Sequence, residues 1–305
     1  MNILVTGATG FIGQHFMKVF PSSIAVVRGS SKTEFVRQFV VESINSTTNW
    51  TGAFDNVEVV VHLAGIAHFP RADKSSYDSV NIEGAVKLAK EAGEAGVKRF
   101  VFISSIGVNG ASTQNDPFLP TSLPNPVNDY SVSKHRAEME LDLVCKSLNM
   151  ELVVIRPTLV YGLEAPGNFS SLRVLVKCCP ILPFGLANNR RHFISVLNLV
   201  DLIWACCTHP NAKGQIFLAS DQQAVSIKDF TNAIAEGLGK KVIQLPVPVS
   251  VMRLVGKLIG KSAMIEQLYG NLEVDSSNIK EVLGWTPPFT MKQAMATLRD
   301  SGVKK

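Results

Sequence analysis

Three groups of residues in this 305-residue chain have the types and spacing to do chemistry. Gly7, Gly10 and Gly13 recur every third position in "TGATGFIG". Glycine permits a tight turn and lets backbone N–H groups approach a phosphate at a helix N-terminus. Tyr130 and Lys134 in "YSVSK" are four residues apart, one turn on one face of a helix. An ammonium there lowers the energy of a tyrosinate, so the phenol can exchange a proton near neutral pH. Ser104 and Ser105 close the run "RFVFISS" and offer a hydroxyl to a carbonyl or alkoxide beside that phenol. A phosphate cradle, an activated phenol and a hydroxyl are together the equipment for moving a proton beside a dinucleotide that moves a hydride.

The elements that must position these groups are readable from periodicity. Short apolar runs rich in Val and Ile (Asn2–Val5, Ile24–Val27, Val57–Leu63, Arg99–Ile103, Glu151–Ile155) alternate with segments of helical period. Those segments are "FIGQHFMKVF", "KTEFVRQFVVES", "SYDSVNIEGAVKLAKEAGEAG" and "YSVSKHRAEMELDLVCKSL". Continuous apolar strands separated by helices predict a doubly wound parallel α/β sheet, whose ligands sit at the carboxyl ends of the strands. The glycine loop, opening after the first strand, is therefore in the right place. The alternation stops near Gly162, and residues 162–305 are richer in Pro, Gly and Asn. The expected division is a dinucleotide-binding domain over 1–161 and a smaller, mainly substrate-binding domain over 162–305, with some of its segments returning to the sheet.

The cofactor choice turns on the end of the second strand. An acid there suits the ribose hydroxyls of NAD, whereas an arginine suits the 2′-phosphate of NADP(H). After "IAVV" come Arg28, Gly29, Ser30, Ser31 and Lys32, with no carboxylate before Glu34. A guanidinium fork with hydroxyls binds phosphate well, so Arg28 and Ser30 favour NADP(H), with NAD the alternative.

Composition excludes several classes. A net charge of +5, from 30 basic and 25 acidic residues, is too mild for nucleic acid and compatible with an anionic small molecule. Cys145, Cys178, Cys179, Cys206 and Cys207 form no metal-ligand spacing, and adjacent cysteines rarely bridge, so they read as thiols of a reducing, cytoplasmic compartment. No metal site is expected. "NILV" is too short for a secretory core. "LPVPVSVMRLVGKLIG" carries Arg253 and Lys257, which predicts an amphipathic surface segment and no membrane insertion.

The motifs "TGATGFIG", "VVHLAG", "NIEGAVKLAKEAGEAGVKRFVFISS", "YSVSK", "IRPTLVYG" and "LGWTPP" resemble extended short-chain dehydrogenase/reductases of the nucleotide-sugar epimerase group, along nearly the whole chain. The resemblance implies a Rossmann-type sheet with a smaller C-terminal substrate-binding domain. It implies Tyr130 as general acid/base, Lys134 as the residue holding the nicotinamide ribose, and Ser105 as the catalytic serine. Cofactor contacts implied by position are Thr9, Phe11 and Ile12 with the three glycines, then Ser43 and Ile44, Leu63, Ala64 and Gly65, Asn81, Ser104 and Pro157. At Ser43 the family's adenine-side acid is missing. For substrate, the resemblance implies a UDP-sugar whose diphosphate meets Asn168 and Arg191, with Ser105 near the sugar. The stretch before "LGW" lacks the family's second arginine, for which Arg253 is the substitute. It also implies a homodimer through the 75–93 and 130–148 helices.

Within that group, 4,6-dehydratases place an Asp-Glu pair after the active-site hydroxyl. Here Ser105 is followed by Ile106 and Gly107, which argues against dehydration. A carbon-4 ketoreductase consuming NADPH and a carbon-4 epimerase retaining NAD remain, and the Arg28 region favours the reductase. A non-catalytic NADP-sensing protein is the alternative of another class, opposed by the intact Tyr130–Lys134 pair.

Overall fold

The computed structural model describes residues 1–29, 33–67 and 74–302. In chain order the strands are β1 (Ile3–Thr6), β2 (Ile24–Arg28), β3 (Arg37–Val41), β4 (Val59–His62), β5 (Arg99–Ile103), β6 (Glu151–Pro157), β7 (Leu159–Tyr161), β8 (Ile181–Leu182), β9 (Arg191–Ser195), β10 (Ile216–Ala219), β11 (Ala224–Val225) and β12 (Ile243–Gln244). The helices are α1 (Phe11–Val19), α2 (Lys74–Tyr77), α3 (Gly84–Glu94), α4 (Asp129–Ser147), α5 (Gly167–Cys178), α6 (Val196–Thr208), α7 (Ile227–Gly237), α8 (Val249–Leu258), α9 (Ser262–Tyr269), α10 (Ser277–Leu283) and α11 (Met291–Ala296). A π-helical turn, Asp78–Glu83, joins α2 to α3.

Seven strands build one sheet in the order β10-β6-β5-β4-β1-β2-β3, and every neighbouring pair is parallel. This is a Rossmann-type sheet, and its strand order reverses between β1 and β4, where ligands of such sheets bind. Side-chain alternation divides its apolar residues between two faces. Ile3, Val5, Val61, Val101 and Ile155 join a core closed by α1 and α6; Leu4, Val60, Phe100, Phe102 and Val154 join one closed by α3 and α4. Both faces are covered, which is why these strands read as unbroken apolar runs.

Residues 32–43, expected as helix, instead contain β3, paired in parallel with β2 from Ile24↔Arg37 to Arg28↔Val41. Residues 29–36 are fewer than the dozen or so that a helical crossover needs. The β-branched run at Val40–Val41 and Phe39 covers the open edge of β2 more effectively than a helix of that length could. The chain returns to the main sheet at β10, beside β6.

Beyond the main sheet, β7, β9 and β11 form a small sheet over a core that includes Tyr161, Phe169, Phe193 and Phe230. Phe193 and Phe230 stack with centroids 3.8 Å apart. The Asp221 carboxylate ties this layer together. Tyr161 Oη donates to it at 2.7 Å, Asn198 Nδ2 at 2.7 Å and Ser195 N at 3.1 Å. Burial raises the pKa of both Asp221 and Tyr161.

Candidate active site

The glycine loop joins β1 to α1. Gly7 has φ +70°, and a Cβ on it would lie 2.7 Å from Ala64 N, so the loop and the segment after β4 approach as only glycine allows. A Cβ at Gly13 would drive into the Gly7 carbonyl. Gly10 caps α1 without any side-chain hydrogen bond, and among the described residues none is seen to accept from the first-turn N–H groups of Phe11, Ile12 or Gly13. This cradle fits a dinucleotide pyrophosphate.

Across the switch point, Thr6 Oγ1 is 2.7 Å from His62 Nδ1 and accepts from Ala64 N at 3.3 Å. Leu63, Ala64 and Gly65 therefore leave β4 along a fixed path. At Gly65 a side chain would be tight, since a Cβ would sit 3.0 Å from Asn81 Oδ1 and 3.2 Å from Lys134 Nζ. The backbone must pass closely here.

Asn81, expected among the cofactor contacts, is spent on protein. It is fully buried; its Oδ1 accepts from Ile66 N at 2.8 Å, and its Nδ2 donates to Ile66 O at 3.1 Å and Ser133 Oγ at 2.9 Å. It acts as a strut holding the post-β4 segment against α4.

Helix α4 carries the phenol and the ammonium. Asn128 caps it by accepting from Ser131 N at 2.8 Å. Lys134 is buried, donates to Ile103 O at 2.9 Å and lies 4.7 Å from the Phe102 ring centroid. Burial lowers its pKa to about 8 against the opposing pull of Glu138. Half-buried Tyr130 is pushed up to about 12 by desolvation; a hydrogen bond with Ser105 pulls it down and neighbouring Tyr77 raises it. Ser105 also caps the short helical turn after β5, accepting from Gly107 N at 3.1 Å. Ser104 Oγ is buried with no hydrogen-bond partner among the described residues, as suits a group awaiting a ligand atom. The structure thus gathers Ser104, Ser105, Tyr130 and Lys134 at the carboxyl edge of the sheet.

Two groups at this site escaped the sequence reading. Arg156 on β6 forms a buried bidentate pair with Glu138 of α4, at 2.9 and 2.6 Å, and also donates to Asn109 Oδ1 at 2.9 Å. It fixes α4 against the sheet, and only its place in "IRP" marked it. Tyr77, four residues before Asn81, puts its ring 6.3 Å from that of Tyr130; no spacing signalled it.

The remaining candidates are more dispersed. Arg28 ends β2, exposed, and Ser43 and Ile44 follow β3. Ser43 Oγ accepts from Asn45 Nδ2 at 3.0 Å, and Ile44 packs under Gly84. Pro157 ends β6. Ser30 lies outside the described residues. Asn168 is exposed in the first turn of α5. Arg191 opens β9, half-buried, donating to Gly270 O at 2.9 Å, with burial lowering its pKa to about 10. Arg253 does not serve as a second site arginine: it is an exposed residue of α8 clasped by Glu266 at 2.8 and 3.1 Å.

Residues 3–219 match the model of the NAD dependent epimerase/dehydratase family. The chain is 42% identical to a UDP-glucose 4-epimerase of Vibrio cholerae, over 96% of this chain and 92% of that one. Among solved structures, the UDP-glucose 4-epimerase of Thermotoga maritima with UDP-glucose superposes with TM-score 0.73 at 21% identity, covering 99% of each chain. RMD from Pseudomonas aeruginosa, complexed with NADPH, gives TM-score 0.72 at 19% identity, covering 98% of this chain and 99% of that one.

Proposed function

The chain belongs to the NAD dependent epimerase/dehydratase family, and from that footing we propose that it catalyses NAD(P)-linked hydride transfer at carbon 4 of a UDP-sugar. The observation that carries this is the convergence of Ser105, Tyr130 and Lys134 at the strand ends beside the glycine cradle. A bound nicotinamide supplies the hydride chemistry. Tyr130 exchanges a proton with the carbon-4 oxygen, Ser105 hydrogen-bonds that oxygen, and Lys134, one helical turn along α4, is the group suited to hold the nicotinamide ribose. The cradle at α1 and the Gly65 segment orient the dinucleotide. Arg191 is the group suited to a diphosphate.

Of the two forms of this reaction, Arg28 at the end of β2 favours NADPH-linked reduction of a UDP-4-keto sugar. In that direction Tyr130 donates its proton to the substrate oxygen. The second reading is a UDP-sugar 4-epimerase, favoured by the 42% identical relative of that name. Tyr130 then removes the proton and later returns it. Mass spectrometry of nucleotide released by denaturing fresh protein separates them. NADP(H), or an empty site that takes up NADPH, supports the reductase; near-stoichiometric NAD supports the epimerase. Failure to bind either dinucleotide contradicts both.

A further inference from the structure

Helix α8 is apolar on its outward side as well as its inward one, unlike an ordinary surface helix. Val249, Met252 and Gly256 face the protein, with Gly256 packed against buried Ile265 of α9. The opposite face should be polar. It instead carries Val251, Leu254, Val255 and Leu258, at i, i+3, i+4 and i+7, with Leu254 59% and Leu258 77% exposed. Ile259 continues the stripe at 57% exposure. The strand pair leading into the helix adds Ile181 and Ile243, cross-strand partners that are both exposed.

The stretch that builds this face contributes only basic charges. Between Glu236 and Glu266 the chain has Lys240, Lys241, Arg253, Lys257 and Lys261 and no acid. Arg253 is answered by Glu266, whereas Lys257 and Lys261, at the end of the helix and just beyond it, form no ion pair among the described residues. Exposed aliphatics flanked by unanswered lysines are complementary to a bilayer with anionic headgroups. A second copy of the chain fits less well, because a two-fold contact over this face would bring like-charged lysines together. Among the described residues no helix is long and apolar enough to cross a membrane, so the contact would be peripheral.

We propose that the outer face of α8 docks the protein on anionic phospholipid bilayers. The α8–α9 hairpin runs into Gly270, whose carbonyl accepts from Arg191. The proposal is independent of which carbon-4 reaction is catalysed.

Flotation of the full-length protein with phosphatidylcholine vesicles, with and without phosphatidylglycerol, tests it. The expected result is recovery only with the anionic vesicles, decreasing with salt. A Lys257→Gln/Lys261→Gln variant should bind about thirtyfold more weakly. A Leu254→Ser/Leu258→Ser variant, exposed at both positions and so expected to keep its melting temperature, should not float. Equal recovery with and without phosphatidylglycerol, or undiminished binding by the leucine variant, overturns the proposal. So does a drop in the lipid-free sedimentation coefficient of the leucine variant from dimer to monomer, which would make the occupant a second copy.

Discussion

Lys134 Nζ donates to Ile103 O at 2.9 Å, tying the helix that carries the phenol to the strand end that leads into Ser105. With the Arg156–Glu138 pair, this bond holds in place the two groups expected to meet the substrate oxygen. Burial holds the Lys134 pKa near 8, so the lysine keeps its charge below that pH. Activity that depends on the ammonium should decline as pH rises through about 8. A Lys134→Met protein should lose that limb of its kcat profile and about a hundredfold in turnover. A mutant with the wild-type limb would assign it to another group.

Tyr130→Phe removes the proton donor and its hydrogen bond with Ser105 while keeping the ring and its packing. Turnover should fall by about 10² to 10⁴ while the melting temperature stays level. Steady-state kinetics beside a thermal scan check both.

Gly13→Ala places a methyl group against the Gly7 carbonyl and within 2.7 Å of Ala8 Cα. The loop must open, so dinucleotide affinity should be lost and the melting temperature should fall, the overpacking costing about 1–3 kcal/mol. Cofactor fluorescence titration reads the first effect and calorimetry the second.

Arg28→Ala should weaken NADPH by about 10- to 100-fold, the worth of a charge-assisted contact, and leave NADH little changed. Equal losses for both dinucleotides would remove the basis for the NADPH reading.

His62 gives the fold an acid limit. Burial, assisted by the charge of Lys134, lowers its pKa from 6.5 to about 3. Between those values the unfolded chain binds a proton that the folded protein excludes, so stability rises with pH, by up to about 1.4 kcal/mol per unit. Melting temperatures between pH 4 and 7 should rise accordingly. His62→Gln should flatten the slope, even if its absolute stability differs.

The sequence made the main sheet legible because its strands are buried on both faces and read as apolar runs. It made the candidate pair of the site legible because Tyr130 and Lys134 share one helical turn. The β3 strand was not legible, because the charged residues interspersed through 32–43 read as a helical segment, while its reason for being a strand is the edge of β2. Asn81 was marked by its place in a motif, but its partners, Ile66 and Ser133, meet only after folding. Arg156 and Glu138 are 18 positions apart and belong to different elements, so no local spacing announces their pair. The outward stripe on α8 was visible as amphipathicity, whereas which side faces the core was not.

The most direct test of carbon-4 hydride transfer supplies NADPH deuterated at both nicotinamide C4 positions, together with a UDP-4-keto-6-deoxy sugar, to the wild-type protein. The account predicts a UDP-sugar product carrying one deuterium at carbon 4, with Tyr130→Phe forming almost none. In the epimerase form it predicts instead interconversion of the carbon-4 epimers of UDP-glucose or UDP-N-acetylglucosamine without deuterium uptake. A wild-type protein that binds the dinucleotide yet neither labels nor epimerises any of these sugars would contradict it.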